Sequence, residues 1–221
     1  MENYGPLKQK AMELGADLFG VSQTSLLAST ITDEIKGVAE KLPYSISIAV
    51  RLQQSVFDTL TDGPNLVYKA HYRQANNLLD KIAFQLGQHI QSDGYHAMPI
   101  PASVITDWAR QRGHLSHRHA AVNCGIGFFG KSGLVVHPRY GAAIRLATIL
   151  TDMPVATDSP LEPDCGDCYR CVEACPAHAI SPEGMAFFDG QSCHDMLKLF
   201  EKRRGIGLMI CGLCIKACRG I

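Results

Sequence analysis

The sequence predicts an α+β protein in two parts, a mixed α/β domain over residues 1–157 followed by a small cysteine-rich domain over 158–221. Three observations predict it. Helical and strand-like patterns interleave along the first part without a regular βαβ period. Eight of the nine cysteines lie between residues 165 and 218, with Cys124 alone upstream. Between the two regions runs TDMPVATDSPLEPD, whose Pro, Asp and Thr content suits a linker.

The elements follow in chain order. Pro6 to Leu14 has the composition of a helix start, with Pro in the first turn and Gly15 as a stop. ADLFGVS is a short strand, and YSISIAVRL after Pro43 is a second, with the β-branched content of a buried one. The stretch 64–93 is an amphipathic helix: Val67, Ala70, Leu78, Ile82, Leu86 and Ile90 recur at helical spacing, and Gly94 follows. YHAMPIPAS is a strand entering a Pro-rich turn, and SHRHAAVNC is a short helix with Ser116 at its cap. Beyond the glycine-rich CGIGFFGKSG come LVVH, the turn PRYG and AAIRLATILTD, which together predict a hairpin.

Composition narrows the function classes. With 221 residues, 46% of them hydrophobic, the chain can build one good core, or a core plus an appendage. Lys plus Arg equals Asp plus Glu at 21 each, so no broad basic surface for tracking nucleic acid is expected. The start MENYGPLKQKAMELG lacks the pattern of a signal peptide, and no run of about 18 apolar residues occurs. A cytoplasmic protein with no membrane partner is expected.

In a reducing compartment nine cysteines favour metal binding over disulfides. Cys165-x2-Cys168-x2-Cys171-x3-Cys175-Pro176 is the bacterial ferredoxin run, in which three closely spaced thiolates take three corners of one cubane and the fourth serves a second cluster. Cys211-x2-Cys214-x3-Cys218 supplies the complement, with Cys193 between the two groups. The count closes on two [4Fe-4S] clusters, one on Cys165, Cys168, Cys171 and Cys218, the other on Cys175, Cys193, Cys211 and Cys214. Structural zinc would call for paired C-x2-C knuckles, which fit the overlapping run less well. The fourth ligand of each cluster is the less determined part, since Cys218 has no following Pro.

CGIGFFGKSG, residues 124–133, matches two phosphate-binding patterns at once. Gly125, Gly127 and Gly130 fit G-x-G-x-x-G, and Gly125, Gly130, Lys131 and Ser132 fit G-x-x-x-x-G-K-[ST]. Both patterns require a buried strand before the loop and a helix after it. Here a polar, histidine-rich stretch precedes and a strand-like one follows, so both nucleotide readings fail. What remains is a glycine-rich turn that lets backbone approach a large planar cofactor, with Lys131 at its rim.

Other residues carry two readings each. His114, His117 and His119 offer a proton donor or metal ligand, against capping or surface roles. Tyr68, His71, Tyr72 and Arg73 on the long helix offer a proton donor or anion clamp, against core packing and surface ion pairs. Cys124 is either a redox thiol or a small buried hydrophobe. Phe128 and Phe129 are core or pocket wall. No catalytic residue is assigned from the sequence.

Taken together, LKQKAMELGADLFGVS, GIGFFGKSGLVV, the run ending CVEACPAHAI and the later cysteines resemble the epoxyqueuosine reductase family, relatives of the reductive dehalogenases. The resemblance implies that the glycine segment, through Gly125, Gly127, Phe128, Gly130 and Lys131, lies against a corrinoid such as cobalamin, and that two cubanes feed electrons to its cobalt. FMN is the alternative cofactor, and the electron donor would be a ferredoxin or flavodoxin. The family's D-S-A-P-type segment falls about a dozen residues before the glycine loop, where this chain reads WARQRGHLSHRHAAVN, with Asp107 earlier than that register. That departure argues against tRNA as substrate. The implied activity is a corrinoid-dependent reduction of an unidentified substrate. The alternative is a non-enzymatic electron carrier or reductive activator of a partner.

Overall fold

The computed structural model describes residues 2–107, 112–162 and 164–220. The chain divides into two compact units, each assembled from several stretches. The first holds Met1–Val50, Asn76–Ile126 and Arg145–Leu161; the second holds Arg51–Ala75, Gly127–Ile144 and Glu162–Ile221. A cut based on composition follows the cysteines alone. The second unit also takes in 51–75 and 127–144, because those stretches supply the apolar side chains around the cysteines.

The first unit is built on a four-stranded sheet. Its strands are β1 (Leu18–Gln23), β2 (Tyr44–Arg51), β3 (Ala97–Ile100) and β6 (Ile144–Thr151), in the order β1-β2-β6-β3. β1 and β2 pair antiparallel with Val21 opposite Ile46, and β3 and β6 pair antiparallel with Ile100 opposite Thr148. Six consecutive residues of β2, Ser45–Val50, are buried, so both faces of the sheet are covered and the strand shows no inside-outside alternation. Helix α1 (Tyr4–Glu13) packs on β1 through a face that buries Leu7 and Ala11. Helix α4 (Leu66–Ser92) buries Ile82, Leu86 and Ile90 of the predicted stripe, together with Leu79 and Ala83, whereas Val67, Ala70 and Leu78, expected on the same face, are exposed.

By register, Gly20 and Ser22 of β1 share a face with Ser47 and Ser45 of β2. Helix α5 (His117–Asn123) lies on β1, its cap made as predicted by Ser116 Oγ, which accepts from the His119 amide. Small residues are needed there: a Cβ on Gly20 would stand 2.7 Å from the Cys124 carbonyl oxygen and 2.9 Å from its sulfur. The predicted linker is tied down at Asp158, whose carboxylate accepts from the Val21 amide at 2.8 Å and from the Tyr4 hydroxyl at 3.0 Å.

In the second unit, β4 (Phe128–Phe129) pairs antiparallel with β5 (Val135–Val136). This corrects the predicted hairpin. LVVH turns back on the glycine segment before it, whereas AAIRLATILTD joins the four-stranded sheet as β6. The reason lies at Gly130 and Gly133. Their amides bond Leu134 O and Gly130 O, each at 2.9 Å, and Gly133 adopts a φ of +69° that glycine alone accepts readily. No described helix is long and apolar enough to cross a membrane.

Candidate metal centres

The cysteine run begins in a loop and continues into α6 (Arg170–Glu173); Cys193 lies in the first turn of α7 (Gly190–Arg203), and Cys214 in α8 (Leu213–Ala217). Each placement has a local cause. Asp164 Oδ1 accepts from the Gly166 amide at 2.7 Å, which bends the chain between Cys165 and Cys168, with Gly166 at φ +45°. Asp189 caps α7 by accepting from the Ser192 amide, which sets Cys193 one turn in. Helix α6 packs on α8, bringing Cys171 and Cys175 toward the last cysteines.

Burial and neighbouring thiols act together on five of the eight cysteines. Burial pushes Cys171 above the ordinary thiol value, and Cys218, Cys165 and Cys168 push it further. Cys218 is likewise raised by burial, with Cys165 and Cys168 adding to the effect. Burial raises Cys214, helped by Cys211, Cys193, Cys175 and Cys171. Burial pushes Cys211 to about 11, with Cys193 and Cys175 contributing, and raises Cys193, with Cys175 and Asp189 contributing. Thiols that raise one another in this way stand close together in a poorly solvated place.

Among the described residues, no group of three or more His, Cys, Asp or Glu is arranged to hold a single metal ion. A mononuclear zinc site gathers its sulfurs about 2.3 Å from one point. The donor chemistry of two all-thiol fours fits iron–sulfur clusters, in which each sulfur binds a different iron.

Apolar side chains wall each set. Phe128, Val136 and Ala142 form a cluster with Leu134, Ile215, Cys165 and Cys218 around the first. Ala179, Ile180, Phe188 and Val172 pack with Cys175, Cys193 and Cys214 of the second set and with Cys171 of the first. Two glycines that the sequence reading passed over hold Cys218 in place. A Cβ on Gly141 would strike Cys218 O and stand 2.6 Å from Gly220 N, and one on Gly220 would strike Pro138 O. The PRYG turn, closed by reciprocal His137–Gly141 backbone bonds of 2.8 and 3.0 Å, thus presses directly on the end of the chain. The cue was present in the sequence as two glycines, but nothing in their spacing says that they meet.

Residues 51–75 support the second set. Lys216 Nζ donates to Leu60 O at 2.6 Å, Arg204 pairs with Asp62 at 2.6 Å, and a Cβ on Gly212 would lie 2.8 Å from the Tyr68 ring. Tyr68 is 1% exposed, with its ring 5.4 Å from Phe57 and 6.3 Å from Tyr72, so of its two readings core packing holds. His71 Nε2 accepts from the Gln53 amide at 3.1 Å, and burial lowers its pKa.

The three clustered histidines do not converge on one point. His117 bonds Thr148 Oγ1 at 2.8 Å and Pro101 O at 3.0 Å, and burial pushes it down to about 4. Pro101 O can only accept, so Nε2 carries the proton and Nδ1 accepts from the Thr148 hydroxyl. His119 Nδ1 meets Ser116 Oγ at 2.7 Å, and His114 Nδ1 lies 3.4 Å from a Glu34 oxygen. Cys124 is 3% exposed and burial pushes it up to about 12, the state of an inert buried thiol. Asp107 bridges to Arg112, and 108–111 of the family's aspartate region lie outside the described residues.

The glycine segment is a helix end followed by a hairpin. The Gly125 and Ile126 amides close α5 onto Val122 O and Ala121 O, and β4 follows. The sides of the glycines that lack a Cβ are filled by the chain itself. A Cβ on Gly125 would stand 2.5 Å from Ser159 O, one on Gly127 2.5 Å from Val136 O, and one on Gly130 2.6 Å from Val136 Cγ2 and 3.4 Å from Cys165 Sγ. Phe128 is 4% exposed. Lys131 Nζ donates to Gly166 O and lies 4.6 Å from the centre of the Tyr169 ring. Any contact of this segment with a corrinoid must therefore come from its other edge. The first unit also holds a cavity of about 510 Å³, bordered by Gln23, Thr24, Lys36, Glu40 and Tyr44; no expected site residue lines it.

No protein-family model matches the chain. Comparison with curated sequences finds an epoxyqueuosine reductase of Vibrio cholerae, 28% identical over 193 residues, covering 79% of this chain and 49% of that one. The chain is epoxyqueuosine reductase-like. It spans about half the length of that relative. Among solved structures, a selenomethionine-labelled epoxyqueuosine reductase superposes with a TM-score of 0.68 at 22% identity, covering 97% of this chain and 64% of that one. A reductive dehalogenase whose structure suggests a mechanism for B12-dependent dehalogenation gives 0.73 at 20% identity, covering 96% and 30%. The α+β fold of this chain is thus shared with an epoxyqueuosine reductase and a reductive dehalogenase.

Proposed function

We propose that this chain is an iron–sulfur reductase that holds two [4Fe-4S] clusters and works with a corrinoid. The observation that carries the proposal is the gathering of eight cysteines within one unit, five of them raised by burial and by neighbouring thiols. When bound, the clusters supply electrons singly and the corrinoid supplies a strongly reducing cobalt. The corrinoid rests on the relatives and on the sequence resemblance, and no contact to it is assigned.

The chain's own residues prepare the cluster sites. Burial and mutual repulsion keep Cys171, Cys193, Cys211, Cys214 and Cys218 protonated at neutral pH without iron. Loading must release those protons, and the positive charge of the iron offsets the cost of burying thiolates. Phe128, Val136, Leu134 and Ile215 exclude water from the first set, and Ile180 and Phe188 do so at the second. Dry surroundings and few charges tune cluster potentials within their accessible range.

A relative has been solved with an epoxyqueuosine-modified tRNA-Tyr stem loop. We take that modified base in tRNA as the first substrate to assay, although this chain reads WARQRGHLSHRHAAVN where the family's aspartate segment falls. The test has three parts, made on anaerobically purified protein. Iron should be about eight per chain. Added cobalamin should shift to its base-off spectrum and co-elute with the protein. Dithionite-reduced holoprotein should then convert the stem loop. About four irons would refute the two-cluster reading, and unchanged cobalamin would refute the reductase reading in favour of an electron carrier or reductive activator. Cobalamin binding without conversion of the stem loop would assign the reduction to another substrate.

A further inference from the structure

We propose that Lys131 is a positioning residue for the first cluster, a fixed cation that favours the reduced form of the cluster on Cys165, Cys168, Cys171 and Cys218. The inference rests on the two-cluster reading above. It moves Lys131 away from the corrinoid, where the sequence resemblance puts it.

Geometry is the first support. Lys131 sits at the tip of the β4–β5 hairpin, held there by the Gly130–Leu134 and Gly133–Gly130 backbone bonds of 2.9 Å. The hairpin is pressed on the first set through Gly130, beside Cys165 Sγ, and through Phe128 and Val136. From that tip the ammonium donates to the carbonyl of Gly166, the residue after Cys165 and two before Cys168. It also lies 4.6 Å from the ring centre of Tyr169, the residue after Cys168. Carbonyl and ring together hold the charge over the C-G-D-C loop and keep it from swinging into solvent.

Electrostatics is the second. Arg170 follows the C-G-D-C loop as a second cation. The loop also carries Asp164 and Asp167, so Lys131 and Arg170 balance two carboxylates beside the cluster. Reduction adds one electron and no proton, taking [4Fe-4S]2+ to [4Fe-4S]+ and making the whole thiolate-bound cluster more negative by one charge. A cation held at this distance stabilises the reduced form more than the oxidised one, and removing it makes reduction harder.

The test uses the full holoprotein and its Lys131→Gln and Lys131→Arg variants, titrated with dithionite and followed by electron paramagnetic resonance. Lys131→Gln should lower the reduction equilibrium constant of one cluster about threefold to tenfold, a tenfold change being 59 mV for one electron. The other cluster should stay put, Lys131→Arg should restore the potential, and cobalamin binding should be equal in all three proteins. An unmoved potential at about eight irons, or equal shifts in both clusters, overturns the proposal. So does weakened cobalamin binding with unmoved potentials, which would return Lys131 to the corrinoid. Iron loss in Lys131→Gln that Lys131→Arg restores supports a role for the charge, whereas iron loss in both variants overturns it. About four irons in the wild type would instead refute the two-cluster reading, a result distinct from all of these.

Discussion

Gly141→Ala tests how the last ligand of the first cluster is held. Gly141 has a φ of +60°, and its missing Cβ leaves room for Cys218 O and Gly220 N, the latter 2.6 Å from where a methyl would sit. Left-handed backbone costs an alanine about 1–2 kcal/mol. The clash adds more, because both obstructing atoms are backbone and cannot rotate away. Either the PRYG turn or the segment around Cys218 must shift by several tenths of an ångström, and the reciprocal His137–Gly141 bonds hold the turn. With the turn held in this way, the segment around Cys218 is the side that moves. The variant should fold and lose one cluster, its iron falling from about eight to about four per chain with one of two resonance signals gone. Gly37→Ala, at a site with nothing within 4 Å of the added Cβ, is the control and should keep both. A Gly141→Ala protein with full iron and both signals would refute the claim that this turn positions Cys218.

Three further outcomes are expected. Cys168→Ser and Cys218→Ser should abolish one resonance signal and Cys193→Ser and Cys211→Ser the other; two variants from different sets that silence the same signal would break the partition. His117, held near 4 against an ordinary 6.5, binds fewer protons folded than unfolded between those values. Stability should therefore be full above about pH 6.5 and fall as the pH drops through that window, by up to about 3 kcal/mol. His117→Gln should flatten the melting temperature between pH 7.5 and pH 5, and an unchanged slope would acquit the histidine. Asp158→Ala leaves the buried Val21 amide without its acceptor and should cost about 1–3 kcal/mol, seen as a lower melting temperature at unchanged iron content.

Much of the cysteine chemistry was legible from spacing alone. Cys165, Cys168 and Cys171 are close in space because they are close in sequence, and an Asp–Gly turn needs no distant partner. The same holds for the second half of α4, where the period of Ile82, Leu86 and Ile90 made the buried stripe visible, and for Ser116 as a cap. Lys131 and the hairpin were harder. A pair of short apolar runs, FF and VV, carries no sign of which strand it will choose, and LVVH could turn forward onto AAIRL or back onto GFFG. Backward won because Gly130 and Gly133 close a tight turn there. His117 was ambiguous for a related reason, since its donor and acceptor partners lie 31 and 16 residues away.

By itself, then, the sequence determined the α+β class, several of the helices and strands and the local spacing of the cysteines, all properties of neighbours along the chain. Only the tertiary structure decided which unit each segment joins, that the PRYG turn meets Cys218 and that the Lys131 ammonium rests on Gly166. Those facts depend on backbone closeness between residues 35 to 80 positions apart, allowed by glycines at 130, 141 and 220 whose missing side chains leave no periodic trace.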